Sequence, residues 1–193
     1  AAATAEIISE LLLLMPINIS AAMADTLLAG IIMDTGCFLN ANTTAKTLRI
    51  AAELINLGAS VNLAWISLFE SKSRKEVLIL QQALQHLDFS ADGRIAWMSL
   101  PYNELVAIEA EDLYPEGLIN HTRMIEGVEV GILFREMPAG KVKVGFRSRG
   151  QVDVAALAAQ FGGGGHRQAS GVQCEGKLEE VKSTIIQAVE DVI

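Results

Sequence analysis

The sequence predicts an α/β protein in two parts joined by a helical stretch, and three observations carry that expectation. Lys141-Val142-Lys143-Val144-Gly145-Phe146 alternates polar and apolar residues, the period of a strand with one wet and one buried face. It follows the apolar run Val128 to Arg135 across Pro138-Ala139-Gly140, which reads as a hairpin turn. Leu178, Val181, Ile185, Ala188, Val189 and Val192 recur at helical spacing near the end of the chain.

Taken in order, residues 3 to 15 read as an amphipathic helix with Ile7, Ile8, Leu11, Leu12 and Met15 on one side, and Pro16 ends it. Asn18 to Ala24 supplies a second short helical segment. Thr26 to Met33 is almost wholly apolar and fits either a strand or a buried helix. Asp34-Thr35-Gly36 closes it. A carboxylate at the carboxyl end of a strand is well placed for chemistry, although the same Asp34 also suits an Asx turn. Asn42-Thr43-Thr44 caps a helix that runs through Ile55 and stops at Gly58.

A compact α/β piece is therefore expected over 1–58. Residues 59–91 form a helical connector, interrupted or solvated around Glu70 to Glu76, with a turn at Ser90-Ala91-Asp92-Gly93. The second domain, 92–193, opens with the strand Arg94 to Leu100, closed by Pro101. Helices follow over Tyr102 to Ala110 and Gly117 to Met124, then the hairpin. Asp153 is a good N-cap for Val154 to Gln160, Val172-Gln173-Cys174 suits a closing strand, and Lys177 to Ile193 is the last helix.

At 193 residues and 51% apolar content the chain is long enough to bury a core, and disorder is excluded. A net charge of −8 argues against a long duplex or an anionic membrane as partner, leaving a short nucleotide held by local cations. Cys37 and Cys174 sit far apart in apolar stretches, which suits buried free thiols in a reducing cytoplasm. The apolar run Leu11 to Met15 is too short to span a bilayer. The chain begins at Ala1-Ala2-Ala3-Thr4-Ala5-Glu6, without Met, and enters a helical pattern at once, as the interior of a domain does.

The stretch with the most chemical content is Phe161-Gly162-Gly163-Gly164-Gly165-His166-Arg167-Gln168-Ala169-Ser170-Gly171. Four glycines in a row let backbone N–H groups approach a ligand and cradle an anion, or serve only as a linker. His166 and Arg167 put an imidazole and a cation beside them, and Arg147-Ser148-Arg149 is a basic strand end shortly before.

Gly162 to Gly171 resembles the GGGGHxxAxG signature of the DHHA1 domain found in the DHH phosphoesterase family. Arg147-Ser148 and Asp153-Val154-Ala155 resemble that domain's RS…DV…A segment. Asp34-Thr35-Gly36-Cys37-Phe38 with Asn42-Thr43 resembles the family's last metal-site motif, and Ala3-Thr4-Ala5-Glu6 is similar to the helix start that follows its DHH triplet. The branch most similar is that of oligoribonucleases and adenosine bisphosphate phosphatases, relatives of the RecJ exonuclease.

The resemblance implies a partial DHH α/β domain, a helical connector and a C-terminal DHHA1 domain with a mixed sheet. It implies a binuclear Mn²⁺ site that activates water in a two-metal mechanism, on short oligoribonucleotides or 3′,5′-bisphosphonucleotides. By the same resemblance Asp34 matches a metal ligand, Arg147 and Ser148 match substrate contacts, and Gly162, Gly163, Gly164, Gly165 and His166 match the phosphate-binding segment. The family's earlier metal motifs, the DHH triplet among them, are absent from the sequence, and His86 and His121 are not placed to replace them. The expected chain is thus the substrate-binding portion of such an enzyme, its metal site incomplete and its activity absent in isolation. A binding-only clamp for a nucleotide or single-stranded RNA, working through Arg147, Arg149, His166 and Arg167, is the alternative. Either partner is a short RNA or nucleotide, without a membrane, and a homodimer is compatible with both.

Overall fold

In a computed structural model, which describes residues 1–115 and 117–193, the chain forms two compact units, Ala1–Lys72 and Ser73–Ile193. The segment 59–91, expected as a connector, is shared between them because its two halves bury their apolar residues in different cores.

The first unit is helical throughout its described residues, where an α/β piece was expected. Its helices are α1 (Thr4–Leu14), α2 (Ala21–Asp34), α3 (Ala45–Asn56) and α4 (Val61–Trp65), the last running into a π-helical turn, Ile66–Glu70. Ser20 caps α2, and Thr44 and Thr47 form a reciprocal capping box on α3. The ambiguous run Thr26 to Met33 is the body of α2. It is helical because the Ser20 cap starts the helix upstream, and its Leu28, Ile31 and Ile32 are fully buried on one helical face with Leu54 of α3.

Of the five apolar residues read as sharing one side of α1, only Leu12 packs against the unit's core. Ile7 and Leu11 are 57% and 58% exposed, whereas Glu6 is 2% exposed and Ser9 is buried. The Glu6 carboxylate accepts from the Ala2 N–H at 2.7 Å and from the Thr47 hydroxyl at 3.2 Å, so a hydrogen-bonded anion rather than an apolar stripe anchors α1 to α3. Trp65 is part-exposed. Its ring lies against Phe69, and its indole N–H donates to Glu70.

The second unit is a mixed α/β domain. After α5 (Arg74–Gln85), the strands are β1 (Asp88–Phe89), β2 (Ile95–Leu100), β3 (Val130–Met137), β4 (Lys141–Ser148), β5 (Gly164–His166) and β6 (Ala169–Glu175). They form one sheet in the order β1-β2-β3-β4-β6-β5. Among the described strands only β2 and β3 run parallel, and the chain between them passes through α6 (Tyr102–Ala107) and α7 (Asn120–Arg123), as a parallel pair requires a crossover. Between β3 and β4, Ala139 and Gly140 both take positive φ, the left-handed backbone of a tight hairpin turn.

The alternation read from β4 is realised as one face buried against helices and one that lines a cavity on the α6/α7 side. Val142, Val144 and Phe146 join Ile132 and Phe134 in a core closed by α8 (Val154–Gln160) and α9 (Leu178–Glu190). On the other face, Met98 and Leu100 pack with Ile79 and Ala83 of α5 and Leu105 of α6. Asp153 caps α8 as expected, its carboxylate accepting from the Ala155 and Ala156 N–H groups. Cys37 and Cys174 are free and only partly buried. Among the described residues no single helix is long and apolar enough to cross a membrane.

Candidate functional site

The site is built by strand register on the α6/α7 side of the second unit's sheet. Directly opposed residues in an antiparallel pair point to the same face. Gly145 of β4 faces Gly171 of β6, and Gly171 faces Gly164 of β5, so three glycines line up across three strands and leave a floor without side chains. One residue row to the side, Arg147 faces Ala169 and Ala169 faces His166. On the other side of the glycine row, Gln173 faces Lys143, and Lys143 faces Arg135 of β3. The result is a bare trough with Arg147 and His166 along one edge and Lys143 and Arg135 along the other.

A cavity of about 430 Å³ opens over the β3/β4 end of this trough, lined among others by Tyr114, Ile119, Arg135, Lys143, Gly145 and Arg147. Arg147 is half-buried, with its guanidinium donating to the Phe146 carbonyl at 2.9 Å. Burial, and then repulsion from Arg123, pull that guanidinium below its ordinary range. An uncompensated cation under such strain is stabilised by an arriving anion. His166 is exposed at the end of β5, two strand spacings or about 10 Å of backbone from Arg147.

Several expected contacts fall elsewhere, each for a physical reason. Ser148 points to the opposite face from Arg147, as strand alternation demands, and is fully buried. Its hydroxyl donates to Glu129 at 3.1 Å and accepts from the Gly150 N–H, so it holds structure rather than ligand. Arg149 clasps the end of α7, its guanidinium donating to the carbonyls of Arg123 and Ile125.

The four glycines are not a free anion cradle. Gly162 and Gly163 donate their N–H groups to the Ala159 and Ala158 carbonyls at the end of α8, while Gly164 and Gly165 belong to β5. Packing demands the missing side chains at Gly163 and Gly165, whereas a Cβ on Gly162 or Gly164 would meet nothing within 4 Å. A Cβ on Gly163 would lie 2.4 Å from the Gly171 carbonyl oxygen and 2.6 Å from Val172 Cβ. Gly163→Ala is accordingly expected to cost about 2 kcal/mol, a fall of several degrees in the unfolding midpoint. An unchanged midpoint in a thermal melt would show that the β5–β6 hairpin has room to spare.

Asp34 is the last residue of α2 and its side chain is exposed. Asn42 fixes its backbone, donating to the Asp34 carbonyl at 3.1 Å and to the Ala2 carbonyl at 3.1 Å. A binuclear Mn²⁺ site needs several carboxylate and imidazole ligands. Among the described residues no group of three or more His, Cys, Asp or Glu side chains could hold a metal ion. These residues therefore do not fit a complete binuclear site. His86 instead pairs through Nε2 with the Glu104 carboxylate at 2.9 Å, tying α5 to α6, and His121 is exposed on α7.

Sequence reasoning missed Glu129, Lys143 and Tyr114. Glu129 was detectable as the one acid inside the apolar run Val128 to Leu133, and Lys143 as a cation two positions before Gly145 on the same strand face. Tyr114 carried no signal, because only the tertiary fold brings it beneath Arg135.

Residues 115–193 match the model of the DHHA1 domain. This chain carries a DHHA1 domain. Over 192 residues it is 34% identical to the bifunctional oligoribonuclease and PAP phosphatase NrnA of Thermus thermophilus, covering 98% of this chain and 57% of that protein. The corresponding NrnA of Bacillus subtilis is 33% identical over 148 residues, covering 77% of this chain and 46% of its own length. The cyclic-di-AMP phosphodiesterase GdpP of Bacillus subtilis is 30% identical over 196 residues, 28% of its length. Among solved structures, an exopolyphosphatase-related protein from Bacteroides fragilis superposes with a TM-score of 0.89 at 26% identity, covering 99% of this chain and 57% of that one. The DHHA1 chain thus spans about half the length of the curated NrnA relatives it matches.

Proposed function

We propose that this chain is the substrate-gripping part of a DHH/DHHA1 phosphoesterase that acts on short oligoribonucleotides or 3′,5′-bisphosphonucleotides. The observation that carries the reading is the glycine-floored trough with cations on both edges. A floor without side chains lets a base or ribose lie against the backbone, and Arg147 and His166 on one edge suit phosphate oxygens. The cations are local in a chain of net charge −8, which favours a ligand of one or a few nucleotides over a long polymer. The NrnA and GdpP relatives, named for phosphoester hydrolysis, support the same reaction class.

In this reading Mn²⁺ chemistry belongs to ligands that the described residues do not assemble, Asp34 contributing one carboxylate. The chain alone is then expected to bind a short oligoribonucleotide with the same affinity with or without Mn²⁺, and not to hydrolyse it. Calorimetric titration in the two conditions, followed by chromatography of the RNA, measures both. Binding that requires Mn²⁺, or turnover matching a full-length relative, would sink the proposal. Asp34 standing alone also favours a purely binding role, which predicts the same titration but no activity in any longer form of the protein. The two free thiols fit a cytoplasmic setting.

A further inference from the structure

Two kinds of surface line the cavity beside the glycine floor. Arg147 and Lys143 supply charge, whereas Leu118, Ile119 and the ring of Tyr114 supply apolar area. Leu118 and Ile119 are nearly buried, but Tyr114 is 48% exposed. A phosphate gains little from an aromatic surface. A flat, weakly polar group gains a great deal.

Tyr114 is held in place from behind. Arg135 is only 5% exposed, and its guanidinium lies 4.0 Å from the centre of the Tyr114 ring. Its Nη2 donates to the carbonyls of Glu111 at 2.7 Å and Ala110 at 3.4 Å, which fixes the loop that carries the ring. The Tyr114 hydroxyl donates to Met137 Sδ at 3.4 Å and so restrains the ring's tilt. A cation–π contact covers one face of a ring. A ring covered on one face and still half-exposed keeps its other face open, and among the described residues no second aromatic ring packs on it. The Lys143 ammonium, 5.1 Å from the ring centre, is carried on a flexible, exposed side chain that can swing aside. The buried guanidinium also draws π density toward itself, so the open face is less negative and repels a second π system less.

We propose that Tyr114, backed by Arg135, is a stacking platform for a nucleobase, so that this trough distinguishes a nucleotide from a bare sugar phosphate. The inference rests on the trough being a nucleotide site and adds the residue that binds the base. Stacking asks only for a π face, so the platform accepts any base, as a site for short RNA of mixed sequence must.

The test is calorimetric titration of the whole chain, at one fixed salt concentration, with adenosine 5′-monophosphate and with ribose 5-phosphate, which has a phosphate and no base. The nucleotide is expected to bind at least about tenfold more tightly, the worth of one stacked base. Tyr114→Leu keeps an apolar side chain and removes the π face, and is expected to bring the two affinities within about threefold of each other. Tyr114→Phe loses only the hydroxyl and is expected to keep the parent's ratio. Ribose 5-phosphate should bind all three chains alike, which a merely structural Tyr114 would not allow, and thermal melts confirm that each variant folds. Equal affinities for the two ligands in the unsubstituted chain, or an unchanged ratio in Tyr114→Leu, would overturn the platform while leaving the phosphate site intact. A ratio lost in Tyr114→Phe as well would assign the discrimination to the hydroxyl and overturn stacking. If neither ligand binds, the nucleotide site itself falls and the platform with it.

Discussion

An Arg147→Ala chain is expected to bind adenosine 3′,5′-bisphosphate on the order of a hundredfold more weakly than the unsubstituted protein, with its unfolding midpoint unchanged or slightly raised. The guanidinium makes one hydrogen bond, to the carbonyl of its own neighbour Phe146, and no ion pair among the described residues. Its removal therefore breaks nothing that the fold depends on, and it relieves both a desolvated charge and the repulsion from Arg123. A bound phosphate, by contrast, loses charge-assisted hydrogen bonds worth about 1.5–3 kcal/mol. Opposite effects on affinity and stability distinguish a ligand-binding arginine from a structural one. An affinity within threefold of the parent, or a midpoint lowered by several degrees, would assign Arg147 to the scaffold instead.

Glu129→Ala should show the reverse pattern, a loss of about 3–5 kcal/mol in stability with the trough's cations untouched. Glu129 is nearly buried at the start of β3, and its Oε1 accepts from the Ser148 hydroxyl at 3.1 Å, the Gln151 N–H at 2.8 Å and the Val152 N–H at 3.2 Å. Truncation leaves three donors without a partner in a place with little room for water, each costing about 1–3 kcal/mol. Glu129→Gln keeps an acceptor oxygen and is expected to cost roughly 1 kcal/mol. Urea denaturation of the three proteins orders them. A Glu129→Ala loss below about 1 kcal/mol would mean that the 148–152 turn holds its shape without the carboxylate.

Ser148 and Arg149 show how a motif legible in the sequence divides once it is folded. Arg147-Ser148-Arg149 reads as one basic cluster, yet strand alternation sends Arg147 to the trough and Ser148 to Glu129, and Arg149 leaves the strand to clasp α7. The glycine run divides likewise, two residues capping α8 and two forming an edge strand.

What the sequence determined by itself is local. The alternation of 141–146, the Pro138-Ala139-Gly140 turn, the Asp153 cap and the spacing of the last helix each depend on residues near in the chain, and the β3–β4 hairpin, α8 and α9 formed accordingly. Helix α1 marks the limit. Its periodicity shows which residues share a face, but Glu6 with Thr47, not Ile7 and Leu11, is what the unit buries. Thr26 to Met33 took its helical form from a cap six residues upstream of Thr26 and a core shared with α3. The trough itself was decided only by tertiary structure. Arg135, Gly145, Arg147, His166 and Gly171 come from four strands, and it is the register of those strands, fixed by the buried face opposite, that aligns glycines with glycines and sets cations on either side.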